Sequence, residues 1–314
     1  MMTGAEVEPL LWGMLLHPSS SWIERKAARL ACDDAVWETT TQAMADAGFT
    51  TAVISLCDSV RFDSHPDFAL PDAWSPGRLR EELTRLRSLG LTPVPKLNFS
   101  SVHSFWLGDY GRMISSSVYY EVAADLIAEV VELFEQPPLF HLGLDEESIY
   151  TGDPLYEYVV GRRRDLWWHD ALYLIDQVAS HGVRPWVWAD EAWSKVGDYY
   201  DRMPTSVLQS NWFYHPDFPG RETGRPRPLD WQQRETHLAY LDLDDHGFDQ
   251  VPCASTWIDP ANIANTVDYC TERIAPDRLL GFLVTTWKTL VPEHLDAQLA
   301  AVAAGSAAIH RTRG

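Results

Sequence analysis

The stretch Phe140-His141-Leu142-Gly143-Leu144-Asp145-Glu146-Glu147 is an apolar run that stops abruptly in three acids. Two adjacent carboxylates repel each other, so the better-solvated one stays ionised while the pKa of the other rises toward the range of a general acid. Glycosidic cleavage needs such a group, because a proton must reach the leaving oxygen as positive charge builds on the sugar. An acidic triplet can equally cap the next segment or carry surface charge. Indole faces suited to walling a sugar ring are offered by Trp188, Trp212 and Trp287, whereas Trp167, Trp168 and Trp186 read as core. Asp190 and Glu191 could hydrogen-bond sugar hydroxyls.

These residues need elements to bring them together. Short apolar runs alternate with longer amphipathic stretches along the whole chain, the pattern of βα units. Strands are predicted at Leu10–Leu16, Thr50–Leu56, Thr92–Leu97, Leu139–Leu144, Arg184–Ala189, Ser206–Asn211, Gln250–Ala254 and Leu280–Thr285. The helices predicted to follow them are Asp34–Ala47, Pro76–Leu89, Ser117–Phe134, Asp165–His181, Ser194–Arg202, Trp231–His246, Asn262–Ile274 and Pro292–Ala304. Gly48, Gly90, Gly182 and Gly247 stand where left-handed helix ends are expected. Eight such units predict an α/β protein, a single (β/α)8 TIM barrel over residues 1–314, with Phe218–Pro228 as a long surface loop. In that fold the functional residues follow the strands. They would be His17; Asp58 and Arg61; Lys96, Asn98 and His103; Asp145 to Glu147; Asp190 and Glu191; Trp212 and Tyr214; Thr256 and Trp257; Trp287 and Lys288.

The segment His141-x-Gly143-x-Asp145-Glu146 resembles the H-x-G-x-D-E signature at the fourth strand of glycoside hydrolase family 20, the β-N-acetylhexosaminidases. Ser64-His65-Pro66-Asp67-Phe68-Ala69-Leu70-Pro71-Asp72-Ala73-Trp74-Ser75, followed by Leu89-Gly90-Leu91-Thr92-Pro93-Val94-Pro95, is similar to the matching section of the hexosaminidase D-like branch. Pro185-Trp186-Val187-Trp188-Ala189-Asp190-Glu191 and the closing Thr285-Thr286-Trp287 also look like that branch. The resemblance implies a retaining, substrate-assisted exo-β-N-acetylhexosaminidase in which the 2-acetamido oxygen of the substrate is the nucleophile. Asp145 would then orient that group and Glu146 would be the acid/base, with Tyr214 donating to the acetamido oxygen. His141, Trp188, Asp190, Glu191, Trp212, Trp287, Lys96, Asn98 and His103 complete the expected binding set. Lys96 and Asn98 stand where the wider family has acids, the first strand lacks an Arg, and Lys288 replaces a frequent sugar-binding acid.

Composition limits the partners. With 25 basic against 45 acidic residues the net charge is −20, which disfavours nucleic acid and anionic membranes and leaves a small carbohydrate as the expected partner. No cofactor or metal is called for, and a homodimer is compatible with the sequence. The N-terminal stretch lacks signal-peptide features, and Cys32, Cys57, Cys253 and Cys270 read as isolated reduced thiols, so a cytoplasmic location is expected. Two other readings stay open: a non-catalytic carbohydrate-binding barrel, and a metal-dependent sugar isomerase or amidohydrolase using His17, His103, Asp145, Glu146 and Asp190.

Overall fold

Strands β1 (Leu11–Leu16), β2 (Thr51–Ser55), β3 (Thr92–Lys96), β4 (Leu139–His141), β5 (Arg184–Trp188), β6 (Leu208–Ser210), β7 (Cys253–Ser255) and β8 (Gly281–Thr285) form one parallel sheet. Its order is β6-β5-β4-β3-β2-β1-β8-β7 in this computed structural model, which describes residues 9–21, 26–147, 161–194, 198–218 and 236–313. The seam between β6 and β7 closes through bridges pairing Gln209 with Gln250 and Trp212 with Cys253. There Val251 N–H donates to Gln209 O and Cys253 N–H to Asn211 O, both at 2.9 Å. The result is the (β/α)8 barrel that the alternating pattern predicted.

Both faces of these strands are buried, which is why they read as nearly continuous apolar runs. Alternate residues divide the work: Leu15, Val53, Val94, Trp186, Leu208, Val251 and Leu283 fill the barrel interior. Leu16, Ile54, Phe140, Val187 and Phe282 pack outward among the helices. The helices are α1 (Asp34–Asp46), α2 (Pro76–Ser88), α3 (Ser117–Leu133), α4 (Asp165–Ser180), α5 (Glu191–Ser194), α6 (Asp198–Arg202), α7 (Ala239–Asp245), α8 (Ala261–Arg273) and α9 (Leu295–Arg313). Asp33, Ser75 and Ser116 cap α1, α2 and α3 by accepting a backbone N–H three residues on. The four predicted helix-ending glycines have φ of 74° to 87°.

The structure departs from the predicted elements mainly at the rim. β4 ends at His141 instead of Leu144, because Gly143 and Leu144 take φ of 75° and 67°. β7 starts at Cys253, and the helix expected at Ser194–Arg202 is replaced by the short α5 and α6. The start of the Trp231–His246 prediction lies outside the described residues, as does most of the Phe218–Pro228 loop, and α7 begins only at Ala239. A 3-10 segment at Ser101–Arg112 has no counterpart in the periodicity and carries His103. All four cysteines are free, and burial pushes the thiols of Cys57 and Cys253 up to about 11 and about 12. No described helix is long and apolar enough to cross a membrane.

Candidate active site

The segment after β4 shapes the centre of the rim. His141, the last residue of β4, is fully buried with its ring centroid 4.9 Å from Trp186 and 4.6 Å from Trp188. Its Nδ1 accepts the Gly143 N–H at 3.0 Å, which fixes a neutral ring; burial, reinforced by Lys96, holds its pKa well below the usual histidine value. At Gly143 a Cβ would lie 2.1 Å from Asn98 Oδ1, so glycine serves both the left-handed turn and the close approach of Asn98. Leu144 and then Glu146, with φ of 58°, continue in the left-handed region.

That backbone brings adjacent carboxylates to one point. A regular strand would aim Asp145 and Glu146 at opposite faces. Here Glu146 Oε2 lies 3.0 Å and Asp145 Oδ2 3.4 Å from the same atom, His103 Nε2. Asp145 Oδ1 also accepts from Asn98 Nδ2 at 2.9 Å, and its carbonyl accepts from Ser100 Oγ at 2.5 Å. Burial alone would raise the Asp145 carboxyl, but His103, Lys96 and the Asn98 amide together hold it well below the usual carboxylate range. Burial likewise disfavours a charge on His103, yet Asp145 and Glu146 outweigh it and lift its pKa to about 10. At neutral pH an ionised Asp145 therefore faces a protonated His103, and the imidazolium touches both acids.

A different carboxyl is pushed toward its protonated form. Asp190, after β5, is raised well above the usual range by burial and then by the charges of Asp145 and Glu191. Its Oδ2 accepts the Glu146 N–H at 2.7 Å, while its Oδ1 is buried with no hydrogen-bond partner among the described residues. Glu191 is buried at the start of α5. Lys96 is buried in the barrel interior, where desolvation lowers its pKa and Asp145 opposes that shift.

Aromatic rings line the adjoining part of the rim. From His141 they run through Trp188 to Trp287 at 5.9 Å, then to Tyr214 at 6.1 Å. Tyr214 stacks on Trp212 at 5.1 Å and meets Trp257 edge-on at 6.5 Å. The Tyr214 hydroxyl lies 3.6 Å from Cys253 Sγ. Of the further strand-end residues, Asp58 is bound by the hydroxyls of Ser19 and Ser21, both at 2.6 Å, and Arg61 and Lys288 are exposed.

The structure thus joins Asn98, His103, Asp145, Glu146 and Asp190 in one bonded cluster, with Trp188, Trp212, Tyr214 and Trp287 in a continuous arc of rings. His141 supports the turn between the two groups. Sequence reasoning missed Ser100, and it missed Arg162 as the partner of Glu147. The signal for the latter was faint: a third acid behind the pair, and the basic run Arg162-Arg163-Arg164 ahead of α4. His103, Asp145 and Glu146 also present ligand atoms within 4.8 Å of one another, a spacing that could hold a metal ion.

Fold and rim define a (β/α)8 barrel with an acidic pair after its fourth strand, and solved structures of similar shape can be placed beside it. Over 96% of its length the chain is similar to the family 20 exo-β-N-acetylglucosaminidase of Vibrio harveyi in complex with N-acetylglucosamine, at 15% identity and a TM-score of 0.64, covering 54% of that chain. It is similar over the same share to the Flavobacterium johnsoniae chitobiase, at 17% identity and a TM-score of 0.66, covering 50% of that chain. The Bacteroides fragilis β-N-acetylhexosaminidase matches at 13% identity and a TM-score of 0.66, with 65% of that chain covered. The chain spans about half the length of the first two. At these identities the likeness is one of fold. No protein-family model and no curated protein matches the sequence.

Proposed function

We propose that the barrel rim is the active site of a glycoside hydrolase that removes terminal β-linked N-acetylhexosamine with assistance from the substrate's own acetamido group. The observation that carries this reading is the left-handed turn after β4, which aims the neighbouring carboxyls of Asp145 and Glu146 at one point. The similar folds include an enzyme described in complex with N-acetylglucosamine. The motif anchors favour the hexosaminidase D-like branch, and the free cysteines are compatible with a reducing compartment.

In this mechanism the acetamido oxygen attacks the anomeric carbon as the bond to the leaving oxygen breaks, and Glu146 delivers its proton to that oxygen. The positive charge that develops on the acetamido group is opposed by the Asp145 carboxylate, which Asn98 and His103 hold ionised and oriented. Water then opens the cyclic intermediate while Glu146 takes the proton back. The arc of Trp188, Trp287, Tyr214 and Trp212 supplies apolar walls for the ring and the acetamido methyl. Release of 4-nitrophenol from the β-N-acetylglucosaminide and β-N-acetylgalactosaminide tests the proposal. Sugar binding without release would support the non-catalytic barrel instead.

The spacing of His103, Asp145 and Glu146 favours a second reading, a metal-dependent enzyme. Against it, the Lys96 side chain is buried with its charge acting on Asp145, one of the three would-be ligands. Hydrolysis that survives chelation would exclude it.

A further inference from the structure

Glu147, the third acid of the triplet, has no part in the reaction above, yet it is buried and bonded through both carboxylate oxygens. Ser101 donates its N–H to Oε1 at 2.9 Å and its hydroxyl to Oε2 at 2.5 Å. Arg162 pairs with the same carboxylate through Nη2 and, at 3.5 Å, through Nε. The guanidinium reaches on to the Phe99 carbonyl at 2.5 Å and to Asp170 Oδ2 on α4 at 3.2 Å. Asp170 in turn accepts from Ser115 Oγ at 2.6 Å and from the Tyr120 hydroxyl at 2.5 Å.

The position of this chain of charges matters. The β3–β4 ladder ends where Phe99 N–H donates to Leu142 O at 3.0 Å. Beyond that point the loop carrying Asn98 and His103 is tied to the loop carrying Asp145 and Glu146 by side chains, and the Ser101–Glu147 contact is one of these ties. The turn it closes contains Leu144 and Glu146 in a left-handed conformation that non-glycine residues adopt rarely. Arg162 and Asp170 are fully buried side chains, so their charges are not screened by water and neither can be left unpaired without disruption.

We infer that the buried Glu147–Arg162–Asp170 chain is a positioning device that clamps the loop after β4 against the loop after β3, so that Asp145 and Glu146 both meet His103. Its members touch no substrate; they act through the acids they hold. NMR of the imidazole nitrogens reads the His103 contact directly and does not depend on turnover. In the wild type the Nε2 signal is expected to carry the signature of hydrogen bonds to both carboxylates, as its 3.0 Å and 3.4 Å contacts require. In Glu147→Ala that signature is expected to be lost for at least one of the two acids, with Glu147→Gln intermediate.

The kinetic arm rests on the hydrolase reading. There, Glu147→Ala is expected to lower kcat on 4-nitrophenyl N-acetyl-β-glucosaminide about 100-fold, with KM within about threefold, since misplacing a reacting group by about 1 Å has effects of that size. If Glu147→Ala fails to fold, the triple variant Glu147→Gln, Arg162→Met and Asp170→Asn removes all three charges at similar volume and carries the same test. A variant that loses thermal stability while its folded fraction keeps the wild-type kcat and the wild-type His103 Nε2 signal overturns the proposal. Should the wild type hydrolyse neither sugar, the hydrolase reading fails and the His103 Nε2 signal alone decides the clamp.

Discussion

At the level of single residues, the site separates three carboxyls by environment. Asp145 is held ionised although it is the less exposed of the adjacent pair, the reverse of what solvation alone would give, because His103, Lys96 and Asn98 outweigh its burial; Asp190 is pushed toward its protonated form, and the Glu146 side chain is 20% exposed. On the proposed mechanism Glu146→Gln would remove the transferable proton, and it is expected to lower kcat by about 10²–10⁴ with little change in KM. Asp145→Asn keeps the shape but loses the charge, and should cost about 10²–10³ in kcat and weaken binding of a thiazoline mimic of the intermediate. Asp190→Asn, by contrast, keeps an oxygen that accepts the Glu146 N–H at a position whose surroundings disfavour a charge, so activity within about threefold of wild type is expected; a loss as large as that of Asp145→Asn would show that Asp190 works as an anion. His103 supplies the pH dependence. Its folded pKa is raised, so its contribution to stability is complete below the unfolded value near 6.5 and is lost as pH rises through about 10. Urea unfolding across that window should show wild-type stability falling with pH, and His103→Gln should remove that component of the slope.

At the level of elements, the end of β4 decides the geometry. Its H-x-G spacing has a physical cause: His141 accepts the Gly143 N–H, and Gly143 gives way to Asn98, which then bonds Asp145. Gly143→Ala forces a Cβ into Asn98 at a φ of 75°. A destabilisation of about 1–3 kcal/mol by urea unfolding is expected, with a fall in kcat of about 10² or more because Asn98 must leave Asp145. An alanine variant with wild-type kcat would show that the turn does not set the pair.

For the whole molecule, the barrel delivers residues from strands far apart in sequence to a single rim, so a ligand bound there should stabilise the entire fold. A thiazoline mimic at about 100 times its Kd should add about 2.7 kcal/mol, a rise of roughly 4–8 °C in Tm by scanning fluorimetry. The same rim explains which parts were legible beforehand. The eight βα units and the barrel follow from periodicity and side-chain type, because apolar runs buried on both faces leave a direct trace in the chain; the tryptophans divide less cleanly, since Trp188 is as buried as Trp186 and packs in the same cluster. Hidden from the sequence were the left-handed residues after β4, the 3-10 segment that brings His103 against both acids, and the use of Glu147 by Arg162. Residue type alone could propose Asp145 and Glu146 as a pair. Which carboxyl is held ionised, which is pushed toward its protonated form and which is locked in an ion pair depends on burial and on neighbours 15 to 50 positions away, and only the folded chain sets those distances.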